Sequence, residues 1–560
     1  MQQPQPMAQS FSTLMHQIEN GTVKIPQFQR KFVWDRHKSA KLVDSLLKGY
    51  PIGTFIFWRT RDELRSIRNL GDVSLPDTPP GEFVNYVLDG QQRLTTLFAT
   101  VRGLTVERDG RVDDYSRLFI DLDADSDQDL VLTDVSEKDA QSFISVKELL
   151  DAEFTTLAEF PQQYHEKMKA YKKILEGYNF SVILVPDAPI DVATEIFTRI
   201  NVTGQSLSVF EIMVAKTYSV ERDFDLAQKT TELLEELSVA HYGTIPDIVV
   251  LQTVSAIMAK ECSKKAILRL DKDQFIDTWP QAVEAIKAAV DYFRSVVKIP
   301  VSQLLPYKAT LVPMAYFFYH HPRRPTGETK QLLLELFWRV SLGGYYSQSL
   351  ESRLAVDMRR VDDILAGRVP DYDYPVDTSK EFILENGSFS TGRSFIKAIL
   401  CLLAARRPRS FLDDAEVNIS NDWLKQANSR NYHHFFPRAH LRREGIGDDL
   451  ANHIGNITLV DDYMNKREIR DRKPSDYMGK FKKSNPNLQS TMATHLIKTD
   501  TFGIWDNDYE RFLNRRCAAI ARKLSSKITH RDIDERGQIP TFDDFEEIQV
   551  AEREGVEASG

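Results

Sequence analysis

An apolar run from Phe83 to Leu88 ends in Asp89-Gly90 and passes at once into a helical pattern from Gln91 to about Val101. A strand that feeds a helix through a glycine commits its neighbourhood to a layered α/β arrangement, because the strand must bury its faces and the helix must pack back over them. Further strand-like runs lie at Thr54 to Trp58, Leu118 to Leu122 and Phe180 to Val185. After Trp34-Asp35 the apolar positions Ala40, Leu42, Val43, Leu46 and Leu47 have helical spacing, and Pro51-Ile52-Gly53 stops that helix. The segment Asp191 to Tyr218 reads as two helices broken at Asn201-Val202-Thr203-Gly204.

At 560 residues the chain is too long for one hydrophobic core, and units of roughly 100 to 200 residues predict about three to four domains. The expected class is an α+β multidomain protein: an N-terminal α/β domain over 1–218, a helical linking domain over 219–400, a C-terminal domain over 401–542, and a Glu/Gly/Ser-rich, acidic and disordered tail over 543–560. No apolar run approaches the roughly 20 residues of a membrane span, and Met1 to Ser10 is Gln/Pro-rich without the basic-then-apolar layout of a signal peptide. A cytoplasmic location is expected. Cys262, Cys401 and Cys517 lie far apart, which excludes a cysteine-based zinc site and suggests three buried thiols. The net charge of −9 is unevenly spread: residues 401–530 hold 23 Lys/Arg against 16 Asp/Glu, and residues 531–560 hold 3 against 10. A mildly basic C-terminal region is compatible with nucleic-acid contact.

The chemistry-bearing residues of that region are His433 and His434, then Asn456, then Asn465. Phosphodiester hydrolysis needs charge stabilisation at the phosphate and a base for the attacking water, and a neutral histidine suits the second task. Adjacent side chains on a strand face opposite ways, so His433 and His434 cannot share one role. Tyr432 to Pro437, Ile454 to Leu459 and Asp462 to Arg467 resemble the strand, strand and helix of the HNH, or His-Me finger, nucleases with their ββα-metal unit. That resemblance implies His434 as general base, Asn456 as the residue holding the base loop, and His433 with Asn465 as ligands of Mg²⁺ or Mn²⁺. Lys466, Arg467, Arg470, Arg472 and Lys473 are expected to contact DNA phosphates. His440 and His453 are read as surface residues, with a phosphate contact as the alternative for either.

The N-terminal domain has no G-x-x-x-x-G-K-[ST] run, which argues against a P-loop. Asp89-Gly90-Gln91-Gln92-Arg93 instead offers a tight turn, free N–H groups at a helix start and a guanidinium fork, all suited to phosphate. Together with Ile25 to Arg30, Phe32-Val33-Trp34 and Phe197 to Leu207, this run resembles the ParB/sulfiredoxin-like nucleotidase domain of GmrSD-type modification-dependent restriction endonucleases and of the related phosphorothioate-sensing nuclease SspE. In that family the domain precedes a C-terminal HNH domain. The resemblance implies an NTP pocket containing Gln29, Arg30, Asp89, Gly90, Gln91, Gln92, Arg93, Asn201 and Gly204, with GTP favoured by family precedent and ATP or another NTP open. The function it implies is an NTP-dependent DNA endonuclease of bacterial anti-phage defence, acting on modified or foreign double-stranded DNA and working as a monomer or homo-oligomer. The alternative is an NTP-dependent DNA-binding regulator with a non-catalytic finger.

Overall fold

The computed structural model of the chain describes residues 3–26, 32, 34–62, 64, 66, 69–70, 73–79, 81–108, 111–125, 127–200, 208–421, 432–460, 469, 471–531 and 533–534. It divides into two compact units, residues 1–226 and 227–560.

The first unit is built on a five-stranded mixed sheet in the order Gln5–Ser10, Asn179–Pro186, Phe55–Thr60, Val84–Asp89, Val23–Lys24. Phe55–Thr60 runs parallel to Asn179–Pro186 and antiparallel to Val84–Asp89, with an irregularity between Ile56 and Phe57 where the register reaches Asp89. Phe55, Phe57, Val87, Phe180 and Val182 supply the sheet's buried side chains, and Leu42, Leu46, Leu94 and Phe98 cover them from helices Arg36–Leu47 and Gln91–Arg102. The first of these helices begins where the Asp35 carboxylate accepts from Lys38 N–H at 2.8 Å, the cap expected of an aspartate preceding a helix.

The expected strands near 54, 83, 118 and 180 and the helices at 36–47, 91–102, 190–200 and 209–217 are all present. The break between the last two, 201–207, lies outside the described residues, as does the acidic tail. Several strands escaped the sequence reading, the opening one being the longest of them. The Gln/Pro-rich start forms Gln5–Ser10, paired antiparallel with Asn179–Pro186 so that Met7 faces Val182. It is an edge strand, exposed along most of its length, so no apolar alternation was required of it and a proline is tolerated.

The second unit is dominated by helices. Asp247–Ala259 and Leu311–His320 are buried on nearly every side, which explains their almost uninterrupted apolar sequence. Lys272–Tyr292 packs beside them and ends in a π-helical turn, Phe293–Val297. Helices Gly327–Leu342, Leu350–Leu365, Lys380–Asn386 and Ser394–Ala405 come next, then a short hairpin of Tyr432–His434 against Ile457–Leu459, and finally Pro474–Ser484, Leu488–Thr494 and Tyr509–Ser525. Residues from Lys380 onward pack into the hairpin: Ile454 N–H donates to Gly387 O at 2.7 Å and Phe389 N–H to Asn452 O at 2.8 Å. All three cysteines are buried and free. Among the described residues, no helix is long and apolar enough to cross a membrane.

Candidate functional site

His433 and His434 sit on the first strand of the hairpin, opposite Thr458 and Ile457. The two phenylalanines after His434 anchor the strand. Phe435 stacks on Phe512 at 4.8 Å, Phe436 lies against Tyr509 at 5.2 Å, and Tyr477 Oη donates to Phe435 O. Helix Tyr509–Ser525 therefore forms the floor under the histidine pair.

The two rings face different partners. His433 is buried, and its Nδ1 lies 3.2 Å from Thr458 Oγ1. That hydroxyl lies equally 3.2 Å from His433 O; when its one proton goes to that carbonyl, Nδ1 carries hydrogen and Nε2 the lone pair. Burial, with His434, His495 and Arg516 nearby, pushes its pKa down to about 3 and keeps the ring neutral. His434 is half-buried, and its Nε2 lies 3.0 Å from Asn452 Oδ1. Asn452 Nδ2 is occupied by Phe389 O at 3.2 Å, which turns Oδ1 toward the ring. His434 Nε2 therefore bears hydrogen, and Nδ1 is the basic nitrogen. Burial lowers the His434 pKa, the Asn452 bond opposes that shift, and Arg438 adds to it.

Asn456 is fully buried and fastens the turn after His434. Its Oδ1 accepts from Phe436 N–H at 2.8 Å, and its Nδ2 donates to Phe436 O and Ala451 O, both at 2.9 Å. Arg516 supports it from below, donating to Gly455 O at 3.0 Å and His495 O at 3.3 Å. Asn452 and Arg516 were not found from sequence. A polar residue in a turn and an arginine on an amphipathic helix give no local signal of what they will face.

His440 and His453 are both buried, correcting the surface reading. His440 lies beside Phe436 on the helix Arg438–Arg443. His453 caps a 3₁₀ turn, with Nδ1 accepting from Gly455 N–H at 2.9 Å and Nε2 3.0 Å from Ile383 O. The His453 imidazole thereby satisfies backbone groups that water cannot reach.

Asn465, Lys466, Arg467, Arg470 and the expected helix Asp462 to Arg467 lie outside the described residues. Arg472 and Lys473 are exposed. Among the described residues, no three His, Cys, Asp or Glu side chains converge as a metal cluster.

In the first unit, Val84–Asp89 and Gln91–Arg102 meet at Gly90, whose φ of +93° is the left-handed region. A Cβ there would strike the Phe55 ring, so the turn needs glycine for conformation and for space. No side chain caps the helix start. Arg93 turns back to the Asp89 carboxylate at 2.9 Å, Ile52 O at 2.7 Å and Thr54 O at 3.1 Å, and lies over Phe55. It ties the 52–54 loop to the turn, and Gly53, at φ +88°, leaves it room. Gln92 Oε1 accepts from Trp34 N–H at 3.3 Å, and Gln91 is buried. Gln29, Arg30, Asn201 and Gly204 lie outside the described residues.

A glycine turn that joins a strand directly to a helix within a mixed sheet defines the class: an α/β domain. Residues 11–218 match the family described as GmrSD restriction endonuclease, N-terminal domain, so the first unit carries a domain of that family. Over 93% of its length it is also 23% identical to an uncharacterized protein of Methanocaldococcus jannaschii, covering 94% of that protein.

Proposed function

We propose that this protein is an NTP-dependent DNA endonuclease that nicks or cuts modified or foreign DNA in anti-phage defence within the cytoplasm, with a His-Me finger site in its C-terminal region governed by a nucleotide bound in its N-terminal domain. The observation that carries the reading is the Asn452–His434 hydrogen bond, which leaves His434 Nδ1 as an oriented, neutral base above a turn fastened by Asn456. The family match over residues 11–218 supports the restriction role.

In this mechanism His434 Nδ1 takes a proton from the water that attacks phosphorus, and the Asn452 carbonyl accepts from Nε2–H throughout, steadying the imidazolium as it forms. The P–O3′ bond breaks, leaving a 5′-phosphate and a 3′-hydroxyl that takes its proton from solvent. Asn456 keeps Phe436, and with it the strand end, from moving away from the phosphate. A Mg²⁺ or Mn²⁺ held by His433 Nε2 and Asn465 would supply charge stabilisation at the phosphate and leaving oxygen. Lys466, Arg467, Arg470, Arg472 and Lys473 position the DNA backbone. One such site cuts one strand, so a double-strand break takes two events or two protomers. In the N-terminal domain, the helix start at Gln91 to Arg93, with Gln29, Arg30, Asp89, Gly90, Asn201 and Gly204, holds the nucleotide, GTP being the first choice.

The test is nicking of supercoiled plasmid and of modified phage DNA with Mg²⁺ or Mn²⁺, with and without GTP, by the intact protein and by His434→Ala. Cleavage by the intact protein and its loss in the variant is the expected result. Equal behaviour of the two, with NTP turnover intact, would make the protein a nucleotide-driven DNA-binding regulator instead.

A further inference from the structure

The helical unit contains an open cavity of about 720 Å³ that lies outside the histidine hairpin and the Asp89–Arg93 turn. Ten non-glycine residues with positive φ occur among the described residues, and three of them line this one cavity: His241 at +61°, Lys298 at +68° and Arg407 at +53°. Each lies at or just beyond the end of a helix or helical turn, where glycine usually takes the left-handed conformation at least cost. In all three places the chain keeps a long or ionisable side chain instead. Arg294 and Ser295, which also line the cavity, belong to the π-helical turn Phe293–Val297, a rare distortion that recurs at functional sites.

The lining has a chemical layout. Arg407 is paired with Glu416 at 2.9 Å, whereas Arg294 and Lys298 have no carboxylate against them among the described residues. Pro300, Val417 and Ile419 add an apolar wall, and Asp291 adds a hydrogen-bond acceptor. The wall is anchored: Asn421 Nδ2 donates to His241 O at 2.7 Å while Asn421 Oδ1 accepts from Gln303 N–H at 3.2 Å. A cavity of this size suits a ligand larger than a bare anion.

We infer that this cavity binds a nucleoside monophosphate, with Arg294 and Lys298 on the phosphate, the Pro300, Val417 and Ile419 wall against the base, and Asp291 accepting from the base's amino group or the ribose. The site is separate from the nucleotide turn of the N-terminal domain, and it stands or falls independently of the nuclease reading.

Hydrogen–deuterium exchange of the full-length protein tests it, with GMP, inorganic phosphate and a single-stranded oligothymidylate as probes. GMP is expected to slow exchange severalfold in peptides covering 293–300 and 404–419, phosphate to do so more weakly, and Arg294→Ala/Lys298→Ala to abolish the effect. Lys298→Gly, which suits the left-handed backbone and removes only the cation, should weaken it without loss of fold. No protection by GMP, or protection that survives the double variant, overturns the inference. Protection by phosphate equal to that by GMP reduces the cavity to an anion site, and protection by the oligonucleotide alone makes it a DNA-strand groove. Either result also overturns it.

Discussion

At the scale of single residues, the C-terminal site is governed by which nitrogen carries a proton, and two neighbours decide that. Thr458 Oγ1 faces His433 Nδ1, and Asn452 Oδ1, facing His434 Nε2, leaves His434 Nδ1 unprotonated. Asn452→Ala should cut the nicking rate by about 10- to 100-fold, the usual cost of removing an orienting partner, with little change in KM for DNA. Burial lowers the His434 pKa, so the base is neutral through physiological pH, and the rate falls only as pH drops below the ordinary histidine value of about 6.5. Asn452→Asp places a carboxylate on Nε2–H and raises that pKa, so its pH–rate profile should fall off at higher pH than the wild type's. Superimposable profiles would remove Asn452 from the mechanism. The hairpin that carries His434 and the turn at Asn456 could be read from the sequence, because its strands lie in short, largely apolar runs, Tyr432 to Pro437 and Ile454 to Leu459. Asn452 could not, since its role exists only once residue 389 has turned its carbonyl toward it.

At the scale of elements, strands with alternating buried faces and helices with capped starts were readable, whereas the edge strand Gln5–Ser10 had no pattern to read. The turn at Gly90 was readable because a strand and a helix meet there without a linker. It tolerates little change: Gly90→Ala needs a left-handed alanine and a displaced Phe55. The expected outcome is a loss of about 2 kcal/mol or more in urea unfolding of the first unit, together with lost NTP turnover. Unchanged turnover would separate the turn from nucleotide binding. The hairpin and its floor carry a second consequence. His433 and His495 are both buried neutral, their pKa values pushed down to about 3 chiefly by desolvation, and burial lowers His434 and His453 in the same direction. An unfolded histidine binds its proton at about 6.5. Their stabilisation is therefore complete above that pH and is lost as pH falls toward 3, by up to about 1.4 kcal/mol per pH unit for each ring. Asp357 acts oppositely, because burial raises its carboxyl to about 6, but it is one group against these four rings and the similarly lowered His320 and His440. The urea midpoint of the second unit should fall between pH 7 and pH 5, and His495→Gln should reduce the fall. A midpoint that rises or holds over that range would contradict the buried neutral rings.

At the scale of the whole chain, residues 1–226 and 227–560 each hold a closed core. The five-stranded sheet is complete within the first, its opening strand paired with residues 179–184. In the second, Arg339 reaches Asp534 at 3.0 Å and Glu335 at 3.1 Å with its side chain fully buried, so the residues near 530 belong to the same body as the helix at 327–342. Breaking such a buried pair by losing one partner costs about 3 to 5 kcal/mol, so a fragment of the second unit must retain Asp534. Contacts of this range leave no periodic trace in a sequence, which is why a division within 227–542 drawn from local patterns cannot register them. Expressed separately, 1–226 should fold and hydrolyse NTP, and 227–560 should fold and nick DNA with Mg²⁺ or Mn²⁺ without responding to GTP. The rate of the second fragment against that of the intact chain then fixes the sign of the coupling. A faster fragment means that the N-terminal domain restrains the nuclease until nucleotide is turned over, and a slower one means that it activates. A fragment whose nicking still responds to GTP would contradict the assignment of nucleotide control to the first unit, and direct attention to nucleotide binding within the helical unit itself.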